Sequence, residues 1–197
     1  MKIAAIIPTL RRPVPLAECL RSLASSLTPV RRVIVVDASE DHAPVLNATR
    51  PPEGLWSAWP FELKFIDAPR PGSAEQRNLG LREIGDAEAV LFLDDDAVPE
   101  PDCIGEMMAG LESDSGVGGV AANIVNQPVG RPGWATRVML RLMGANGGDP
   151  SGKLIGPAVA IRPRGDLAEP LIDIEWAATC GVLYRRSALP AGGFDSF

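Results

Sequence analysis

Short apolar runs alternate with amphipathic stretches along roughly the first two thirds of the chain. Runs rich in Val, Ile, Leu and Phe that end near Pro, Asp or Asn are typical of buried strands; they are Ile3–Pro8, Arg32–Val36, Glu62–Ile66, Ala89–Leu93 and Val117–Ile124. The intervening stretches predict three helices: Val14–Leu27 with leucines at helical spacing, Ser73–Ile84 with Ser73 as N-cap, and Asp102–Leu111. Residues 42–60, rich in Pro and Gly, predict a loop.

Strand and helix alternate in an order that predicts the fold class. Such an α/β order is typical of a mostly parallel central sheet with helices on both faces. Beyond residue 125 the pattern weakens, and it predicts one helix, Trp134–Met143, and one strand, Glu175–Tyr184. The helix carries Arg137 and Arg141 among apolar residues. It is therefore interpreted either as a helix that covers the sheet or as one that lies on a membrane surface.

Composition narrows the classes of function. The chain has 197 residues, of which 46% are hydrophobic, and this fits one globular domain. Its net charge of −6 argues against a nucleic-acid-binding surface. Three cysteines without a CxxC pair indicate reduced thiols rather than a zinc site, and a single histidine, His42, excludes a histidine-rich metal site. No apolar run reaches the roughly 20 residues that span a bilayer, so a cytoplasmic location is expected.

Three consecutive carboxylates, Asp94, Asp95 and Asp96, directly follow the strand Ala89–Leu93. They would repel one another strongly unless a positive charge lay between them. A divalent cation with oxygen ligands, Mg²⁺ or Mn²⁺, meets that need and commonly binds substrate phosphates as well. The alternative is a solvated turn, which Asp also favours.

Polar residues also follow the other predicted parallel strands. Pro8 and Thr9 end the first strand, Asp37 the second and Asp67 the third. Ligands in open α/β sheets collect beyond the carboxyl ends of the strands. These residues are therefore expected to converge with the three carboxylates at one edge, which favours a binding site over a turn.

Six segments, in order, resemble the family 2 inverting glycosyltransferases with the GT-A fold: Ile6–Leu10, Val33–Asp41, Gly72–Gly80, Leu91–Asp96, Ile174–Arg186 and Gly192–Phe197. The second segment is similar to the family's VVDDGSxD motif but lacks the second Asp. The fourth is similar to its DXD motif, and the last to GGFDExF. Together they extend over nearly the whole chain.

This resemblance implies a GT-A (nucleotide-diphospho-sugar transferase), Rossmann-like fold that is incomplete at the C-terminus. Residues 1–197 would form a single domain, with residues 1–125 as the nucleotide-sugar-binding half and 126–197 as a partial acceptor-side half. The implied reaction is metal-dependent transfer of a sugar from a nucleotide-diphospho-sugar to an acceptor hydroxyl with inversion. The expected role is in cell-surface or exopolysaccharide assembly, with a glycan or lipid-linked acceptor and peripheral association with the inner face of the membrane.

The resemblance also implies roles for individual residues. Asp37 would accept from the base N–H of a uracil-like nucleotide, and Arg77 would hold the diphosphate or an acidic residue. Asp94 would contact the ribose or the water shell of the metal, and Asp96 would coordinate the cation. The expected nucleotide-sugar-binding set is Pro8, Thr9, Asp37, Arg77, Asp94 and Asp95. Trp176 and Gly181 are expected on the acceptor side, where the helix Trp134–Met143 could also cap an acceptor groove. Strand alternation directs Asp95 to the face opposite its neighbours.

The catalytic base is not assigned, because the family's Glu-Asp motif would lie beyond Phe197. Two interpretations of the chain therefore stay open: a fragment of a longer glycosyltransferase, or a nucleotide-binding module without turnover. A sugar nucleotidyltransferase is a further alternative, but such enzymes need a Gly-rich basic loop after the first strand. The segment Thr9–Pro13 has arginines and no glycine.

Overall fold

The computed structural model describes residues 1–55, 57–125, 133–143, 152–155, 159–160 and 173–195. In chain order these contain β1 (Ile3–Thr9), α1 (Pro13–Ala24), β2 (Arg32–Asp37), α2 (Ala43–Ala48), β3 (Glu62–Asp67), α3 (Ser73–Leu81), β4 (Ala89–Leu93), α4 (Cys103–Ser113), β5 (Gly119–Ala121), α5 (Trp134–Leu142), β6 (Leu154–Ile155), β7 (Val159–Ala160) and β8 (Gly181–Arg185). Every helix in this part of the chain is too short or too polar to cross a membrane.

A six-stranded sheet in the order β3-β2-β1-β4-β8-β5 forms the centre of the fold. Strands β3, β2, β1 and β4 run parallel, and β8 is antiparallel to β4. Strand β4 is buried at every position and β1 and β2 at nearly every position, as expected for a parallel sheet covered on both faces. The predicted fold class, α/β with a mostly parallel sheet, is confirmed.

Contacts divide the chain into two compact units. The first consists of Met1–Val120 and Thr179–Phe197, and the second of Ala121–Ala178. Within the second unit, β6 and β7 form an antiparallel pair, and α5 exposes Trp134 and Leu142. The predicted assignment of residues 1–125 to the donor and 126–197 to the acceptor concerns ligand roles, and it stays a prediction.

Several predicted element bounds are wrong. The loop predicted for residues 42–60 contains the short helix α2, which begins with Pro44 in its first turn, a position that proline tolerates well. The predicted strand Val117–Ile124 is reduced to β5, and the strand predicted from Glu175 begins only at Gly181. Helix α1 ends at Ala24 rather than Leu27, because Ser26 bonds its hydroxyl to the carbonyl of Thr28 and turns the chain.

The predicted N-cap of α3 is also wrong. Gly72, not Ser73, occupies the N-cap position, and no side chain caps this helix terminus. The hydroxyl of Ser73 instead accepts a hydrogen bond from the guanidinium of Arg77, one turn along the helix. Ser73 therefore orients the buried side chain of Arg77, which belongs to the site described next.

Candidate active site at the carboxyl ends of the strands

The parallel strands end in one row of polar residues. Thr9 of β1 lies opposite Asp37 of β2, which in turn lies opposite Asp67 of β3. On the other side of β1, strand β4 ends at Leu93 and leads directly into Asp94. Since these strands are parallel, their carboxyl ends meet at one edge of the sheet, where open α/β sheets bind ligands.

Two arginines pair with the three carboxylates that follow β4. Arg12 donates from Nη1 to Asp95 Oδ1 and from Nη2 to Asp96 Oδ2, both at 2.8 Å, and Arg77 Nη2 donates to Asp94 Oδ1 at 2.7 Å. The side chains of Asp94 and Asp96 stay 42% and 54% exposed. We call Asp94, Asp95, Asp96, Arg12 and Arg77 the charged cluster. The repulsion expected among the acids is offset by protein cations.

Asp95 is the buried member of the charged cluster. Thr9 Oγ1 donates to its Oδ2 at 2.7 Å, and Arg12 occupies its Oδ1. Burial raises the pKa of Asp95, whereas the Thr9 hydrogen bond and the charge of Arg12 oppose the rise. Asp95 therefore joins the ends of β1 and β4, and both of its carboxylate oxygens serve internal contacts.

Arg77 lies almost completely buried on α3. Burial lowers the pKa of Arg77, and the charge of Asp94 opposes that change. Its Nη atoms donate to Ser73 and Asp94, while the residues described here give its Nε no hydrogen-bond partner. Arg77 is therefore a fixed positive charge beside Asp94. Of the two roles expected for Arg77, this contact corresponds to holding an acidic residue.

Arg12 was not among the expected site residues, although the basic pair that follows β1 is visible in the sequence. Arg11 adopts a positive φ of 55°, a conformation that is uncommon outside glycine. The backbone N–H of Arg11 donates to Ser39 Oγ at 2.7 Å. This turn presents Arg12 to Asp95 and Asp96, whose contacts raise the pKa of Arg12.

Asp37 lies in a second polar network, at the end of β2. Its side chain is 0% exposed; Oδ1 accepts from the Ser39 N–H at 3.1 Å and from Ser39 Oγ at 2.6 Å, and Oδ2 accepts from His42 Nδ1 at 2.7 Å. We call Asp37, Ser39 and His42 the base-side network. The hydrogen bond to Asp37 raises the pKa of His42, and the nearby Asp67 adds to the rise.

Gln76 is a buried polar residue of α3 that the sequence did not single out. Its Nε2 donates to the carbonyl oxygens of Thr9 at 2.9 Å and Val36 at 2.7 Å. Both carbonyls lie at the ends of adjacent parallel strands, so Gln76 supports the backbone beneath Thr9 and Asp37. A buried glutamine has no periodic signal of its own, so only the tertiary contacts identify this role.

Asn78 and Gly80 of α3 act in packing. The side-chain amide of Asn78 donates to the Phe194 carbonyl and accepts from the Phe194 N–H, both at 2.7 Å. The ring of Phe194 packs edge-on against Phe92 of β4, with centroids 5.1 Å apart. A Cβ on Gly80 would lie 2.5 Å from Ile6 Cγ2, so only glycine permits this approach of α3 to β1.

The two residues expected on the acceptor side lie in different units. Gly181 is the first residue of β8 and pairs with Leu93, the residue before the charged cluster. Trp176 is half-buried and lies outside any helix or strand of the second unit. Their roles toward an acceptor stay predictions, as do the ligand roles of Pro8, Thr9, Asp37, Arg77, Asp94, Asp95 and Asp96.

The charged cluster has donors that suit a hard divalent cation. Within the described ranges, no three His, Cys, Asp or Glu side chains are grouped as metal ligands. A Mg²⁺ or Mn²⁺ ion that shares a diphosphate needs only one or two carboxylates from the protein. Asp94 and Asp96 each use one oxygen in an arginine contact and remain half-exposed, so they fit this requirement.

The chain and its fold are similar to known proteins. The model of the family "Glycosyl transferase family 2" matches residues 4–164, more than three quarters of the chain. The structure is similar to that of a mannosyltransferase, PcManGT from Pyrobaculum calidifontis, in complex with GDP-Man and Mn²⁺: the TM-score is 0.51 and the identity 25%, over 71% of this chain and 38% of the mannosyltransferase.

It is also similar in fold to glucosyl-3-phosphoglycerate synthase from Mycobacterium tuberculosis in complex with uridine diphosphate. This match has a TM-score of 0.52 and an identity of 16%, over 94% of this chain and 57% of the synthase. The chain thus spans less than two thirds of the length of either protein. No curated protein sequence matches the chain.

Proposed function

This chain belongs to glycosyl transferase family 2, and on that premise we propose that it binds a nucleotide-diphospho-sugar and serves transfer of the sugar to an acceptor hydroxyl. The observation that carries the proposal is the charged cluster, where three carboxylates and two arginines meet at the carboxyl edge of the sheet. An anionic diphosphate with its cation needs both kinds of charge at one place.

Asp94 and Asp96 would hold the divalent cation, Mg²⁺ or Mn²⁺. The similarity to the mannosyltransferase, which was solved with GDP-Man and Mn²⁺, supports this assignment. When bound, such a cation would stabilise the negative charge that develops on the leaving diphosphate. Arg12 and Arg77 bring further positive charge to the same edge, and a guanidinium binds phosphate oxygens with paired donors.

The transfer that we propose proceeds with inversion. The acceptor oxygen forms a bond to the anomeric carbon while the bond from that carbon to the diphosphate oxygen breaks on the opposite side. A base takes the acceptor's proton, and we assign that role to none of the described carboxylates. Gly181 and Trp176 would contribute to the acceptor side, and the natural acceptor would be a glycan or lipid-linked sugar at the inner face of the membrane, in surface-polysaccharide assembly.

Calorimetry and a turnover assay test this proposal separately. UDP, GDP and their sugar conjugates are titrated into the chain with Mn²⁺ and again with EDTA; saturable binding that requires the cation is expected. Release of nucleoside diphosphate in the presence of lipid-linked acceptors then reports transfer. Binding without release would indicate a nucleotide-binding module. The absence of any cation-dependent binding would contradict the proposal as a whole.

A further inference from the structure

The carboxylate expected to contact the nucleotide base is closed off from ligands. The Asp37 side chain has no exposed surface, and its two oxygens accept three hydrogen bonds from Ser39 and His42. A base that bound Asp37 directly would have to displace His42 and leave its donor without a partner. Breaking a buried, charge-assisted hydrogen bond is costly, so direct contact with Asp37 is disfavoured.

His42 is the exposed member of the base-side network. Its side chain is 31% exposed, and its Nδ1 carries the proton because the Asp37 carboxylate can only accept. Nε2 lies across the ring from this buried contact, and the described residues supply it with no hydrogen-bond partner. The imidazole is thus anchored through one nitrogen and offers the other.

The surroundings of His42 favour its protonated form. The negatively charged Asp37 of β2 lies within hydrogen-bond distance of Nδ1. Asp67 of β3 lies 3.9 Å from the same atom, and the charge of Asp41, in the preceding loop, also favours protonation. Among the described residues, Phe65 of β3 packs edge-on against the ring, with centroids 6.4 Å apart. These acidic neighbours raise the pKa of His42 and so favour the imidazolium form, in which Nε2 is also a donor.

The position of His42 suits a base rather than a phosphate. In the sheet order, the end of β2 lies two strands from the end of β4, where the charged cluster begins. At about 4.8 Å between neighbouring strands this is roughly 10 Å. A ribose separates the base of a nucleotide from its diphosphate, so a nucleotide with its diphosphate at the charged cluster can lie along the strand ends toward β2.

Resting on the proposed function, we propose that His42 contacts the nucleotide base, donating from Nε2 to a ring carbonyl, and that Asp37 is a positioning residue behind it. A keto group accepts such a bond, as O4 of uracil and O6 of guanine do. Cytosine and adenine carry an amino donor at the equivalent position and would be rejected. The site therefore selects keto bases.

Nuclear magnetic resonance tests the contact on the unmodified chain. His42 is the only histidine, so its ring signals are unambiguous in untagged protein. We expect saturating UDP or GDP with Mg²⁺ to shift the Nε2 and Cε1 signals and to raise the midpoint of the His42 titration. Ring signals that stay unchanged at saturation would overturn the proposal while leaving the proposed function intact.

A matched pair of variants separates the contact of His42 with the nucleotide base from its hydrogen bond to Asp37. The amide nitrogen of His42→Asn can reach Asp37 in place of Nδ1 but offers nothing at the Nε2 position; His42→Gln places its amide closer to Nε2. We expect wild type to bind UDP over CDP, or GDP over ADP, by roughly tenfold. His42→Asn should lose this preference with unchanged thermal stability, and His42→Gln should recover part of it.

The pH dependence gives a third, independent result. Because the proton on Nε2 is needed, the affinity of wild type should fall as the pH rises through the His42 pKa, and the affinity of His42→Asn should not. An affinity that rises instead would make Nε2 an acceptor and overturn the proposal, as would equal binding of keto and amino bases. If wild type binds no nucleoside diphosphate, the proposed function fails, and this proposal falls with it.

Discussion

The charged cluster and the base-side network both contain aspartates at the carboxyl ends of parallel strands, but these aspartates differ in solvent exposure and in hydrogen-bond partners. Asp94 and Asp96 are half-exposed and pair with arginines, contacts that a cation or a phosphate can replace. Asp37 is fully buried, and its partners are a backbone N–H, a hydroxyl and an imidazole. Residue type and strand position are thus shared, and accessibility decides which carboxylate can meet a ligand.

The largest expected effect is on stability at the end of β2. Asp37→Ala removes the acceptor of three hydrogen bonds, two of them buried and one part-buried, and leaves the Ser39 N–H without its partner. We expect a loss of about 3 kcal/mol in the free energy of unfolding, measured by urea denaturation. Asp96→Ala, at an exposed position, is the matched comparison and should change it by less than about 1 kcal/mol. Similar losses in the free energy of unfolding for Asp37→Ala and Asp96→Ala would contradict the difference in burial between the two regions.

Nucleotide affinity should fall more in Asp96→Ala than in Asp37→Ala, the reverse of the order expected for stability. Asp96→Ala removes a ligand of the proposed cation, so the affinity for UDP or GDP with Mn²⁺ should fall about 100-fold, or about 2.7 kcal/mol. With EDTA present, the nucleotide affinities of wild type and Asp96→Ala should differ little. Asp102→Ala, an exposed acid in the same loop, serves as the control. Calorimetry measures both, and an unchanged affinity with Mn²⁺ would exclude Asp96 as a metal ligand.

A smaller effect is expected when the protein's own cation is removed. Arg12→Ala deletes a positive charge that pairs with the buried Asp95 and with Asp96, one of the two proposed metal ligands. The affinity for Mn²⁺ alone should rise about fivefold, or about 1 kcal/mol, and the affinity for the anionic nucleotide should fall. Arg12→Lys keeps the charge and should stay close to wild type. Electron paramagnetic resonance of free Mn²⁺ measures the first change, and a lower Mn²⁺ affinity in Arg12→Ala would contradict the competition.

The smallest effect concerns the pH dependence of Asp95. Burial raises its pKa in the folded state, so the folded protein binds a proton more readily than the unfolded chain does. Stability from this group should therefore fall as the pH rises from the unfolded pKa through the raised folded value. Asp95→Asn should remove that dependence, changing the difference in Tm between pH 4 and pH 7 by about 2 °C.

Much of the first unit could be predicted from local pattern. The strand Ala89–Leu93 was predicted with its observed bounds, and the strands at residues 3, 32 and 62 begin where expected. Apolar runs of this kind are typical of strands in a covered parallel sheet, so the pattern and the fold agree. The helix α2 was missed because the prolines of residues 42–60 favour a loop, whereas Pro44 lies in the first turn of the helix, where proline is tolerated.

The candidate site was predictable as a set of positions and not as a set of contacts. Asp37, Arg77 and Asp94–Asp96 all stand at the expected edge, since strand ends and sheet direction follow from sequence order. Arg12, Gln76 and His42 were not assigned because their partners are 83, 67 and 5 residues away. Even the short separation to Asp37 is uninformative without the backbone turn that directs the imidazole toward it.

The sequence by itself determined the α/β fold, the edge at which polar groups collect and the family to which the chain belongs, because periodicity and ordered motifs are local properties. Only the tertiary structure decided which acids remain available. Burial and hydrogen bonding depend on neighbours brought together from distant strands: they enclosed Asp37 behind His42, tied Asp95 to Thr9 and Arg12, and left Asp94 and Asp96 half-exposed at the strand ends.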